Sequence, residues 1–332
     1  MSDDRWPDQV QGASAAAVTI CGACEDLLAR VGAPWPAGDA ERALERLRAR
    51  IDGLLDRPAP PGPPASDGCG RLEVRAFGQT VIRAGDRVID PPRRSRLVFQ
   101  YLVAHRARPV AREVLLETFW PGSSPAAARN SLNVAVTLLR RSLRPAYGAR
   151  PVVIFRDESY RLDPDLDVWV DREEFDRLLR RGAECRRAGD HAEAVRALGA
   201  ARALYRGPLF EDEPYEDWIV AMRRALAADH LAMLTDLGES LAVLGARQES
   251  AEALRAVLAI EPEREDVHRR LMELHASEGR GYLALRQFEA CRLALRRSLG
   301  VEPGPETHAA RERILRRREQ GLPAGKPRVI AA

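Results

Sequence analysis

From Ser124 to Arg144 the apolar residues recur at the spacing of one helical face. At 100° per residue, Leu132, Val136, Leu139 and Leu143 fall on a narrow stripe that reads as core. Ser124-Pro125 supplies an N-cap and a first-turn proline. Pro145 is expected to close the helix, because the residue before a proline avoids helical geometry. The opposite side carries Asn130, Thr137 and Arg141, flanked by Asn133 and Arg144. No acid interrupts this stretch, whereas an ordinary solvated helix mixes glutamate with its cations.

Upstream, Leu72, Val74, Phe77, Val81, Ile82, Val88 and Ile89, broken by Gly78 and Gly85, predict short strands. Helices are expected over about 93–105, with Leu97, Phe99, Tyr101 and Leu102 as apolar positions, and over about 111–119. Two β runs, 152–155 and 160–162, are joined by Arg156-Asp157-Glu158-Ser159 as a hairpin. Strands, three helices and a terminal hairpin form the order of a winged helix-turn-helix.

From Trp169 onward the pattern is helical and repetitive. Gly245 and Gly279 lie 34 residues apart, the tetratricopeptide period, and each opens a similar phrase. Gly189 opens a third copy 56 residues before Gly245, which leaves an insertion of about 22 residues holding the acidic run 211–217. That run is either a partner contact or, as preferred, an ordered loop closing the array. Asp171…Glu174 and Asp190…Glu193 resemble capping boxes with Asp in place of Ser or Thr.

The expected organisation is a helical extension over 1–57, a proline-rich linker over 58–70, a winged helix over 71–163, a repeat domain over 164–320 and a disordered tail over 321–332. The linker assignment rests on five prolines within 58–64. Leu44, Leu47, Ile51 and Leu54 form a seam of two heptads, which suits either intrachain packing or a dimerisation helix. The fold class expected is an α+β winged helix followed by an all-α, tetratricopeptide-like array.

Charge sharpens this division. The net formal charge is only +3, but residues 71–163 hold 17 basic and 8 acidic side chains, against 7 and 11 over 1–70 and 28 and 30 over 164–332. The positive field sits on the segment bearing the Asn/Arg helix, as nucleic-acid binding requires. Mean hydropathy is −0.33 and no apolar run reaches the roughly 18 residues of a membrane span, so no membrane partner is expected. The acidic start lacks a signal-peptide pattern, and a cytoplasmic, nucleoid-associated location is expected. The five cysteines are scattered. Cys21 and Cys24 form a lone CxxC without the further ligands of a closed zinc site, so no metal or cofactor is expected.

Several phrases together resemble the Streptomyces antibiotic regulatory protein family. They are 108–110 through Phe119-Trp120-Pro121, Ala128-Arg129-Asn130-Ser131-Leu132-Asn133-Val134, and Trp169-Val170-Asp171 with Phe175. Leu204-Tyr205-Arg206-Gly207, Pro214-Tyr215-Glu216-Asp217-Trp218, 284–289 and 299–303 continue the series, so the resemblance spans about 71–316. It implies an OmpR-like winged helix joined to a bacterial transcriptional activator domain. It also implies sequence-specific binding of double-stranded promoter DNA, a homodimer on direct repeats, and contact with RNA polymerase holoenzyme. The family hairpin usually carries glycines before its Tyr, whereas Asp157 and Glu158 stand here and would repel phosphate. Residues 1–70 fall outside the resemblance.

The DNA-facing set is therefore Arg129, Asn130, Asn133, Val134, Thr137, Arg140, Arg141 and Arg144, with Arg93, Arg94 and Arg96 as phosphate contacts and Arg156 and Arg161 on the wing. Amide and guanidinium forks read adenine and guanine edges, and an apolar Val134 suits a thymine methyl. Trp120 and Leu132 are expected in the core, and His268 and His275 are expected to be structural. The chain lacks GxGxxG, GxxxxGK[ST], HExxH and GxSxG, so an enzyme is not expected. The second reading is a tetratricopeptide scaffold whose winged helix binds protein.

Overall fold

The computed structural model describes residues 71–147 and 150–319. The expected N-terminal helix and its heptad seam, Cys21 and Cys24, the linker and the tail lie outside the described residues.

The first strands follow from alternation. In β1 (Leu72–Arg75) Leu72 and Val74 are buried while Glu73 and Arg75 face outward. β1 pairs antiparallel with β2 (Val81–Ala84), and β2 with β3 (Arg87–Ile89). Val88 points away from the core on this edge strand and is exposed. Three helices follow: α1 (Arg93–Ala104), α2 (Arg112–Phe119), preceded by the short β4 (Val110–Ala111), and α3 (Pro125–Tyr147). β5 (Val153–Arg156) and β6 (Ser159–Leu162) form the wing, in a sheet of order β4-β6-β5. β7 (Val168–Val170) then returns to run parallel with β1, completing the order β3-β2-β1-β7.

Seven helices form the array: α4 (Asp171–Arg187), α5 (His191–Leu204), α6 (Asp217–Val243), α7 (Arg247–Ile260), α8 (Glu265–Ser277), α9 (Gly281–Leu299) and α10 (Pro305–Glu319). They pack as the pairs α4/α5, α6/α7 and α8/α9, with α10 covering the last pair. The repeat read from sequence is visible in the turns. Gly189, Gly245 and Gly279 end the first helix of each pair at φ 76°, 80° and 74°, where a left-handed residue closes the helix. Within the pairs, Gly182 faces Leu198 and Gly238 faces Leu254 at the same repeat position. The third pair replaces this contact by Met272 and Phe288, which build a smaller core with Ala284, Ala310 and Ile314.

The two halves share one continuous apolar core. Residues 205–216, the loop between α5 and α6 within the insertion, bind the winged helix instead of the array alone. Phe77 bridges Leu209, Gly78 N–H donates to Pro208 O at 3.0 Å, and Phe210 N–H to Ala76 O at 2.7 Å. Asp212 accepts from Thr80 N–H and Oγ1 at 3.0 and 2.7 Å. Trp218 packs on Tyr101 and Phe119, and Arg223 holds the loop through the carbonyls of Leu209, Phe210 and Glu213.

Asp190 caps α5 as expected, accepting from Glu193 N–H at 3.0 Å. Asp171 departs from the expected capping box. Fully buried in the first turn of α4, its carboxylate accepts from Ala76 and Phe77 N–H at 2.7 and 3.2 Å and from Arg206 at 2.8 Å. Burial pushes its carboxyl up to about 6, against the pull of these donors.

Candidate nucleic-acid interface

Helix α3 opens as its sequence dictates: Ser124 Oγ accepts Ala127 N–H at 3.4 Å, and Ser124 O accepts Ala128 N–H. Pro145 does not end it. The helix runs to Tyr147 with Pro145 inside its last turn. The missing N–H removes one bond in the last turn, and Ala146 and Tyr147 still pack on the core. Leu132, Val136, Leu139 and Leu143 are buried as the stripe required, joined by Ala128 and Ala135. Trp120 is only partly buried at the core's edge.

The outward face carries Arg129, Asn130, Asn133, Val134, Thr137, Arg140, Arg141 and Arg144, all exposed. Val134 is 51% exposed, so its apolar side chain is open to solvent on this face. No side-chain hydrogen bond or ion pair among the described residues engages Arg129, Asn130, Asn133, Thr137, Arg141 or Arg144. Arg140 differs: its Nε and Nη2 donate to Val153 O at 3.1 and 2.8 Å, so its fork ties α3 to the wing.

The α1 arginines have partners within the molecule. Arg93 donates to Glu213 Oε2 at 3.2 and 3.0 Å, and Arg96 reaches Asp90, Asp212 and Glu213 at 3.1–3.5 Å. Arg94 donates to Phe119 O at 3.4 Å. A helix beginning with two arginines and no first-turn acid opposes its own dipole, and Glu213 supplies the missing negative charge.

On the wing, Arg156 is 78% exposed and 3.6 Å from Asp157, while Arg161 is half-buried near Asp163. Pro109, Arg156, Asp157, Ser159 and Arg161 line a shallow cavity of about 200 Å³. The two tip carboxylates are not bare anions, since Glu158 pairs with Arg112. Burial raises the Tyr160 hydroxyl's pKa behind them. Arg112 and Arg223 are structural residues that sequence reading did not single out, while Asp171, Arg206 and Glu213 stood there as a helix cap, part of a family phrase and part of an acidic run, with no sign that they join the two halves. The signal available for Arg112 was a cation at a helix start, the dipole's unfavourable end.

His268 is buried, its ring nitrogens 2.9 Å from Pro262 O and 2.7 Å from Gln287 Nε2. Among the described residues no group of His, Cys, Asp and Glu is arranged to hold a metal, and no helix is long and apolar enough to cross a membrane.

Two family models match this chain: "Transcriptional regulatory protein, C terminal" over residues 86–162, and "Bacterial transcriptional activator domain" over residues 170–315. The transcriptional regulatory protein MoaR1 of Mycobacterium tuberculosis is 28% identical over 224 residues, 67% of this chain and 72% of MoaR1. The regulatory protein DnrI of Streptomyces peucetius is 28% identical over 273 residues, 79% of this chain and 98% of DnrI. A solved structure of M. tuberculosis EmbR, in complex with a low-affinity phosphopeptide, matches with a TM-score of 0.66 and 28% identity, covering 75% of this chain and 66% of that one. The chain belongs to the Streptomyces antibiotic regulatory protein family of transcriptional regulators, an OmpR-like winged helix joined to a bacterial transcriptional activator domain.

Proposed function

We propose that this chain is a sequence-specific transcriptional activator that seats α3 in the major groove of promoter DNA. The observation that carries this reading is the outer face of α3, where guanidinium and amide groups stand exposed with no internal partner while the opposite face is core. Arg129, Arg141 and Arg144 contact phosphate or guanine; Asn130 and Asn133 contact adenine; Val134 and Thr137 contact thymine. Arg156 and Arg161 add phosphate contacts from the wing. Arg93 and Arg96 serve the interdomain contact with Glu213 in this reading, and Arg140 serves the wing. RNA polymerase holoenzyme and a second copy of this chain are the further partners that family membership implies.

Gel-shift titration of the full chain against genomic fragments, repeated over a salt series, tests the reading. Retarded bands at low salt should weaken by about 0.9 log units per log unit of salt for each phosphate neutralised. Absence of any band would turn the account toward a protein-binding scaffold.

A further inference from the structure

At the wing tip Asp157 and Glu158 both lie in the left-handed region, at φ 50° and 56°. A two-residue hairpin turn of this kind favours glycine or asparagine, and nothing intrinsic to glutamate suits it. The compensation comes from outside the turn. Glu158 O accepts the Arg112 N–H at 2.8 Å, and the Glu158 carboxylate pairs with the Arg112 guanidinium. Arg112 is the first residue of α2, so this carboxylate also supplies the negative charge that a helix start favours. The same guanidinium lies 5.8 Å over the Phe155 ring, which tilts against Tyr160. Further along the wing, Arg140 of α3 holds Val153 O. Both helices of the helix-turn-helix therefore grip the hairpin, α2 at its tip and α3 at its base.

We infer that Glu158 is a positioning residue for DNA binding: its carboxylate fixes the wing against Arg112, so that Arg156 and Arg161 meet phosphate in register with α3. This rests on the DNA reading above. Two charge arguments give opposite signs. A free anion at this tip repels DNA, so its removal tightens binding; half of a clamp orients the wing, so its removal weakens binding.

The experiment uses a duplex recovered by the full chain from a random-sequence pool. Kd, its salt dependence and the hydroxyl-radical footprint are compared for the parent, Glu158→Gln, Arg112→Gln and the double variant. Glu158→Gln is expected to raise Kd about three- to fivefold, the worth of an exposed ion pair. The salt slope should fall by up to about 1.8, the share of two phosphates. Protection should fade at the wing's contact and persist in the major groove, and the substitution should add little once Arg112 is Gln. Glu158→Gly suits the positive φ and should weaken binding in the same way, whereas a turn that needed only its backbone shape would bind at least as well. An unchanged or lower Kd for Glu158→Gln overturns the inference, as does a loss equally large beside Arg112→Gln. A parent chain that retains no duplex at low salt sinks the DNA reading and the clamp's role together; a parent that binds while Glu158→Gln matches it sinks the clamp alone.

Discussion

Arg93 and Glu213 are 120 residues apart in sequence, yet Nη2 of the first lies 3.0 Å from Oε2 of the second, and the Glu213 side chain is 1% exposed. Its buried carboxylate draws the α1 arginines toward the activator half of the molecule. Replacing Arg93 and Arg96 together by Ala would leave only Arg223 near that buried charge, at a cost of up to about 3–5 kcal/mol in urea unfolding. The salt slope of DNA binding should stay near the parent's. Arg141→Ala should do the reverse, lowering the slope by about 0.9 with little effect on stability. A slope that falls in the double variant while stability holds would place Arg93 and Arg96 on phosphate.

Asp171 makes the interdomain contact sensitive to pH. Its folded carboxyl titrates at about 6, above the 3.8 of an exposed aspartate, because burial disfavours the charge. The folded state thus holds an extra proton between these values. The stability contributed by this group is greatest below pH 3.8 and falls as pH rises toward 6, by about 3 kcal/mol at 1.36 kcal/mol per unit. Denaturant midpoints of the parent should therefore drop relative to Asp171→Asn across that window and run level above it. A gap moving the other way would mean that Ala76, Phe77 and Arg206 outweigh burial.

Two array glycines should respond with opposite signs to the same substitution. A Cβ at Gly182 would lie 2.5 Å from Leu198 Cδ2 and 2.7 Å from its Cγ, inside a packed helix pair. Overpacking of about 1–3 kcal/mol there exceeds the gain of about 1 kcal/mol from alanine's helix propensity. A Cβ at Gly199 meets nothing within 4 Å. Gly182→Ala should lower Tm and Gly199→Ala should raise it; a rise in both would show that Leu198 gives way freely.

Helix α3 was legible because its pattern is local: four apolar residues at helical spacing fix the buried face, and the residues opposite are then outward. The repeat was legible because Gly189, Gly245 and Gly279 recur where each pair turns. The insertion was not. Glu211, Asp212 and Glu213 read as one acidic run, and nothing local says that Glu213 is buried while Glu211 is exposed. Their partners Thr80, Arg93 and Arg96 lie more than a hundred residues away. Arg140 and Arg141 are adjacent and chemically identical, yet one fork holds Val153 O and the other stands in solvent. A turn of 100° between neighbours decides this, together with a wing whose position the sequence does not display. Pro145 overran its expected stop because tertiary packing of Ala146 and Tyr147 outweighs a local backbone preference.

The central claim is that the outer face of α3 reads bases. Its most direct test compares the parent with Asn130→Ala and Asn133→Ala on a selected duplex and on a random one. Each substitution should cost about 1–3 kcal/mol on the selected site and little on random DNA. Equal losses on both duplexes, or none on either, would contradict it.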